Sequence, residues 1–289
     1  SYNGEMSPAI TVTVTSGMQG LPEDPQPDKF DGFKQRVLAV QGTSLGCVYC
    51  PLMIAGLTEY AKLEESKSTV LVSAHAIMSG DDMISDYSTA VAKGMGFNTT
   101  GIPALLFNMR SSSEILGLST ADSPSSVAKR VQSAAQTLLQ GGANTGICAA
   151  VSGTEASGSI KVTAAVKVGK AGKYRICAWV LEDDIHATGQ LNNYPSLEGT
   201  YDFTHHSNVL RCISSTSPIT GVNLGGKEEC KSGETLGFSY EFDLKKLSVT
   251  NMANVRVAII VTRNESGARY MVDNVISSKL NSQVKFEYK

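Results

Sequence analysis

Cys47 and Cys50 lie three positions apart in the run Gln41–Met53 (QGTSLGCVYCPLM), with an apolar stretch before them and a helix-like stretch after. Two thiols at this spacing can close a small ring. Where the first meets a helix N-terminus, unpaired backbone N–H groups and the helix dipole favour its thiolate. A lowered thiol pKa beside a resolving thiol is what disulfide exchange needs. In that reading Cys47 attacks and is the more exposed, Cys50 resolves, and Pro51 falls in the first helical turn, where its missing N–H costs little. Two other readings stay open. The pair could serve only as a staple of the turn. A zinc ion would want four ligands; His75 lies on the next strand, but no second Cys pair or His pair follows at ligand spacing, so no metal is assigned. Pro51 stands where covalent haem attachment requires histidine, and no cofactor is expected.

The elements that must position this pair change character near residue 141. Before it, strand and helix signals alternate: strands at Val37–Gln41, Thr69–Ala76 and Gly101–Asn108, with a fourth at Glu114–Gly117, and helices at Pro51–Leu63, Met83–Met95 and Ser125–Leu139. Ser123 and Pro124 supply a cap and a first-turn proline for the last helix. This order implies βαβ pairing in a layered α/β domain. After the linker Gly141–Gly146 the period becomes two. Gly146–Val151, Ser159–Val168, Tyr174–Leu181, Ser207–Ser214, Thr235–Leu244, Val255–Thr262, Ala268–Ser277 and Val284–Tyr288 read as strands separated by Gly-, Asn- and Ser-rich turns. A run of about eight strands without a helix predicts an antiparallel β-sandwich. Residues 9–15 (AITVTVT) also read as a strand, and 16–32 as an exposed linker. The expected division is 1–32 as N-terminal strand and linker, 33–141 as the α/β domain and 142–289 as the β-sandwich.

Composition excludes several classes. The chain has 289 residues, 42% hydrophobic and 18% charged, and a net charge of −2. It can bury a core, and it carries no general attraction for nucleic acid. Its apolar runs fall far short of the ~20 residues of a membrane-spanning helix. The opening residues SYNGEMS show neither the basic start nor the apolar core of a signal peptide. Besides Cys47 and Cys50 there are Cys148, Cys177, Cys212 and Cys230. A bridge between Cys212 and Cys230 is expected, because the turn-rich stretch between them can bring strand ends together; Cys148 and Cys177 are the second candidate pair. The alternative is four buried free thiols. His205 and His206 are adjacent on a strand and point to opposite faces, so they cannot easily share a metal; with His186 they read as surface or turn residues. Glu182-Asp183-Asp184 reads as a solvated strand end, and Trp179 as core.

About 50 residues after the cysteine pair comes Gly101-Ile102-Pro103, leading a strand. Order, spacing and flanking strands over Val37–Leu139 resemble the thioredoxin superfamily. The resemblance implies a cis bond between Ile102 and Pro103 beside the cysteines, and a substrate groove shaped by Pro103, Ile102 and Tyr49. Gly46 stands where thioredoxins carry Trp, and Val48-Tyr49 where they carry Gly-Pro. The buried acid that helps move the resolving cysteine's proton is replaced by Gln41, which cannot take one. Across roughly residues 34–289 the chain resembles the outer-membrane-protein-28-related surface lipoproteins of Gram-negative bacteria, a family with a thioredoxin-like domain followed by a β-rich one. The residues that carry this are GCVYCP (Gly46–Pro51), YRICAWVLEDDIHATGQ, HHSNVLRCISS with Gly221, NVRVAIIVTRN and MVDNVIS. It implies an address at the outer membrane or cell surface, reached through an N-terminal lipid anchor outside this sequence.

Two functions follow as expectations. One is extracytoplasmic thiol–disulfide exchange with protein thiols or disulfides through Cys47 and Cys50. The other is a non-enzymatic surface module that binds protein or glycan, its cysteine pair vestigial.

Overall fold

The computed structural model of the chain describes residues 20–264, 267 and 269–289. The strand expected at residues 9–15 lies outside them, as does Ala268.

The strands are β1 (Val37–Thr43), β2 (Thr69–His75), β3 (Ala104–Phe107), β4 (Thr145–Thr154), β5 (Ser159–Val168), β6 (Lys173–Glu182), β7 (Ile185–His186), β8 (His205–His206), β9 (Val209–Ile213), β10 (Val222–Asn223), β11 (Thr235–Asp243), β12 (Val255–Asn264), β13 (Tyr270–Lys279) and β14 (Ser282–Val284). The helices are α1 (Cys50–Tyr60), α2 (Asp86–Met95), α3 (Phe97–Thr100) and α4 (Pro124–Leu139). The protein is mostly β, with few helices and a mixed sheet. Local chemistry sets several boundaries. Ser123 caps α4 with Pro124 in its first turn, as the sequence predicts. α2 starts three residues later than expected because Ser85 closes a capping box with Ser88 and Met83 N–H is held outside the helix by Asp81 Oδ1. The strand expected at Glu114–Gly117 reduces to a single bridge between Leu105 and Leu116.

One sheet runs β13-β12-β6-β9-β2-β1-β3, with β10 also paired to β6. β1 and β2 are parallel, and β3 is antiparallel to β1 with Gly42 opposite Ala104. β9 joins the two halves of the chain: it runs antiparallel to β6 and meets β2 in parallel at Ser73 and Val209. A second sheet, β11-β5-β4-β14, covers one face of β6 and β12. The alternation of β6 shows the arrangement. Tyr174, Ile176, Ala178 and Val180 point into the core between the two sheets. Cys177, Trp179 and Leu181 point into a second core, shared with Leu38, Val72, Val91 and Phe97. Trp179 is therefore core, as expected. A third core packs α1 and α4 on the other face of β1 and β3.

The cysteines outside the 47–50 pair are free and buried, which corrects the expected bridges. Cys212 sits opposite Val180 and Cys230 opposite Gly172, at the two ends of β6. Eight residues at ~3.3 Å each put them on the order of 25 Å apart, far beyond the ~7 Å between Cα atoms that a bridge tolerates. Cys148 packs with Ala165 and Phe286 on the outer face of the second sheet, while Cys177 faces the helix-covered side of the first. The two point away from a common core. Burial pushes Cys148 and Cys212 up to about 12 and Cys230 up to about 11, so these thiols are inert at neutral pH.

Glu182 corrects a second expectation. It is fully buried, not a solvated strand end. Arg211 Nε donates to its Oε2 at 2.7 Å, and Thr250 N–H, Thr250 Oγ1 and Asn251 N–H donate to its Oε1.

Candidate functional site

The chain leaves β1 at Thr43 and turns through Ser44–Tyr49 before α1 starts. Cys47 N–H donates to Ser44 O at 3.1 Å and Cys50 N–H to Cys47 O at 3.2 Å. Cys47 and Cys50 are joined by a disulfide with Cα atoms 5.4 Å apart. α1 begins at Cys50, and Cys47 lies in the turn leading into it rather than on the helix. Pro51 falls in the first turn as predicted. α1 is fixed from behind by α4. Gly56 passes so close to Val127 that a Cβ there would lie 2.5 Å from Val127 Cβ.

The expected difference in exposure is almost erased: Cys47 is 3% exposed and Cys50 0%. The cause is the segment between β7 and β8, which belongs to the β-rich half. Leu191 N–H donates to Leu45 O at 2.8 Å and Asn193 N–H to Val48 O at 2.9 Å. Gln190 Nε2 donates to Leu45 O and Cys47 O, each at 3.1 Å. Behind this contact Leu197, Tyr194, Tyr201 and Phe203 pack on Leu52 and Ala55 of α1, and Tyr201 OH donates to Glu59 Oε1. From sequence alone this stretch reads as a turn. Its one available signal is the set of large apolar residues in a long loop, which a purely solvated connection does not need.

Ile102–Pro103 is cis. Pro103 precedes Ala104, the partner of Gly42, so it enters the sheet at the end from which the cysteine turn departs. Tyr49 is 51% exposed and meets Tyr194 edge-on at 6.4 Å. Among the described residues the exposed large hydrophobic side chains are Tyr49, Ile77, Met78 and Leu191. Three of them rim the cysteine turn directly: Tyr49 lies within it, Leu191 is bonded to it, and Met78 covers Gly46.

Beneath the turn is a buried His–Asp pair. His75 Nδ1 lies 2.8 Å from Asp81 Oδ2, both side chains almost fully buried. Leu45 N–H also donates to Asp81 Oδ2. The His75 contact and these backbone donors outweigh burial and hold Asp81 down at about 2. His206 is buried, which corrects its reading as a surface residue, and its ring meets His75 edge-on at 5.7 Å. His205 and His206 do face opposite ways; exposed His205 pairs instead with Asp202 and the ring of His186.

A cavity of about 260 Å³ opens beside this pair, between α1, β1, β2 and the β8 strand; Gln41, Thr43, Ile54, Leu57, His75 and His206 are among its walls. Gln41 Nε2, Thr43 Oγ1 and His206 Nε2 are buried without a protein hydrogen-bond partner.

Among the described residues, no helix is long and apolar enough to cross a membrane. No curated protein sequence matches the chain. The solved structure of HBP35 of Porphyromonas gingivalis superposes with a TM-score of 0.65 at 16% identity, covering 87% of this chain and 77% of that one. That shows a shared fold. A domain of the outer membrane lipoprotein Omp28 from Porphyromonas gingivalis aligns at 20% identity over 48% of this chain and 89% of its own, with a TM-score of 0.29. Residues 92–284 match the family described as outer membrane protein Omp28, a match that starts beyond Cys50. Covering more than half of the chain, it shows that this protein belongs to the Omp28 family and so resides at the outer membrane or cell surface.

Proposed function

We propose that this Omp28-family protein joins a thioredoxin-like module to a β-sandwich and exchanges disulfides with protein thiols outside the cytoplasm. Cys47 is the nucleophile, Cys50 the resolving thiol, and Pro103, Ile102 and Tyr49 border the substrate groove. The observation that carries this reading is where the disulfide lies. Among six cysteines, the one bridge joins residues three apart, while Cys148, Cys177, Cys212 and Cys230 stay reduced. In the chain-entropy account so short a ring stabilises least, roughly 2 kcal/mol against about 3 for a 15-residue loop. A cell-surface protein that used cysteines to staple its fold would place them elsewhere. The parallel β1–β2 pair, α1 and the turn between them supply the frame that exchange needs.

The test is trapping. Reduced Cys50→Ser protein is mixed with a disulfide-bonded protein substrate. A mixed disulfide through Cys47, together with a Cys47 alkylation pKa well below ~8.5, is the expected result. No trapped adduct and an ordinary pKa would overturn the assignment.

A second reading has its own support. Both cysteines are covered by Gln190–Asn193, and the family match begins after them. Those facts favour a surface-binding module for protein or glycan that keeps the bridge without using it. Loss of ligand binding on cutting back the β-rich surface, with no effect of Cys47→Ser, would separate it from the first.

A further inference from the structure

Gln41 occupies the position where an exchange site of this type needs a proton acceptor for its resolving cysteine, and an amide cannot serve. The cavity below α1 holds a replacement from another part of the chain. Ile54, Leu57 and Thr58 of α1 and Ala61, its C-cap, line it. With Cys50 they fall at i, i+4, i+7, i+8 and i+11, one face of the helix. Cys50, itself outside the lining, stands one turn before Ile54 on the helical face that walls the cavity. From β1, Gln41 and Thr43 close the floor, and from β8 the ring of His206 enters. The His206 ring is held by the backbone at Ala187 and Phe203, while Nε2 is buried and unpartnered.

Resting on the exchange reading above, we propose that His206 Nε2, through water in this cavity, accepts the proton of Cys50 during resolution. The Cys50 S–H bond breaks and the proton passes to His206. The Cys50 thiolate attacks the Cys47 sulfur of the mixed disulfide. The Cys47–substrate bond breaks as the Cys47–Cys50 bond forms, and the substrate sulfur leaves as a thiolate with the electron pair. The substrate disulfide is thereby reduced by two electrons and the cysteine pair oxidised; the imidazolium passes its proton on to the departing sulfur or to water.

The surroundings suit this role. Burial and the neighbouring His75 lower His206 from its ordinary value, so it rests neutral and ready to accept. The charged or titratable groups that face it are His75 on β2, with Asp81 behind it, and Asp202 and His205 at the cavity's outer wall. α1 and β1 present only neutral groups to the cavity. Asp81, behind His75, favours the imidazolium when it forms, against the opposing effect of His75.

The experiment follows the reduced full chain reacting with 5,5′-dithiobis(2-nitrobenzoate) in a stopped flow. The first thionitrobenzoate released reports attack by Cys47, the second reports resolution by Cys50. His206→Phe and the polar, similar-sized His206→Gln should each leave the first phase unchanged and slow the second about 10²-fold at neutral pH, the scale of a lost general base. Gln41→Asp placed in the His206→Phe background should recover at least tenfold and restore a pH dependence to the second phase. Normal first and second phases in both His206 variants would overturn the relay and leave exchange intact. A missing first phase in the unaltered protein would instead overturn exchange itself. Should His206→Phe lose its cooperative unfolding transition, His206→Gln alone decides.

Discussion

Gln190 donates from Nε2 to the backbone oxygen of Cys47 at 3.1 Å, across the boundary between the β-rich half of the chain and the half that carries the cysteine pair. The same amide reaches Leu45 O, and the neighbouring Leu191 and Asn193 bind the turn through their own backbones. The stretch directly over the disulfide, Gln190–Asn193, is thus held by hydrogen bonds, each worth about 1 kcal/mol net, while the chain beyond it packs Tyr194, Leu197, Tyr201 and Phe203 on α1. Access to Cys47 is set by how readily that stretch lifts.

Replacing Gln190 by Ala removes the side-chain part of this hold. A small phosphine should then reduce Cys47–Cys50 several-fold faster than in the unaltered protein, with global stability lowered by only about 1 kcal/mol. An unchanged reduction rate would mean that the cover does not limit access.

The four remaining thiols give a sharp count. An alkylating reagent applied to the native, unreduced protein should leave Cys148, Cys177, Cys212 and Cys230 unlabelled, since all are buried. In denaturant without reductant these four should label and Cys47 and Cys50 should not. A peptide linking Cys212 to Cys230 in a non-reduced digest would contradict the fold described above.

Asp81 makes stability depend on acid. Its folded-state pKa of about 2 lies below the ordinary value of 3.8. A depressed carboxylate binds fewer protons folded than unfolded, so its contribution is complete above pH 4 and is lost as pH falls toward 2. The amount is on the order of 2 kcal/mol. Urea titrations through this window should show the loss in the unaltered protein and a flatter profile in Asp81→Asn, which should be the less stable of the two at neutral pH.

Glu182 and Arg211 form a buried pair. Glu182→Ala should cost about 3–5 kcal/mol, because it leaves Arg211 uncompensated and frees the donors at Thr250 and Asn251. Removing both charges together, Glu182→Met with Arg211→Met, should recover part of that loss. Chemical unfolding of the single and double variants checks both statements.

Two glycines are steric. Gly221 has φ +93, and a Cβ there would fall 2.5 Å from Ile176 C and 2.8 Å from Cys177 Cβ. Gly56 is helical, and its obstacle is the side chain of Val127. Gly221→Ala should cost at least about 3 kcal/mol, from backbone strain and a clash with main chain. Gly56→Ala should cost about 1–3 kcal/mol through overpacking between α1 and α4, and Gly56→Ala with Val127→Ala should recover most of it.

The sequence by itself determined what depends on neighbours along the chain. The apolar run Val37–Gln41, the helix-spaced residues after Pro51 and the Ser123–Pro124 start of α4 fix their elements through local chemistry: burial pattern, capping and a proline where no N–H is needed. The cysteine spacing likewise marked the one place where a ring closes without help from the fold. Tertiary structure decided everything that requires knowing which faces meet. Cys212 and Cys230 are both on inward-facing positions, yet only the register of β6 shows that its whole length separates them. Glu182 and His206 carry polar side chains at strand ends, where solvent is the default; Arg211 and the backbone of Thr250 make the first a buried acceptor, and His75 with the cavity makes the second a buried base. The loop at Gln190–Asn193 holds no periodic signal at all. Its role comes from hydrogen bonds to a turn about 145 positions earlier, a relationship that no local pattern of hydrophobicity or turn residues encodes.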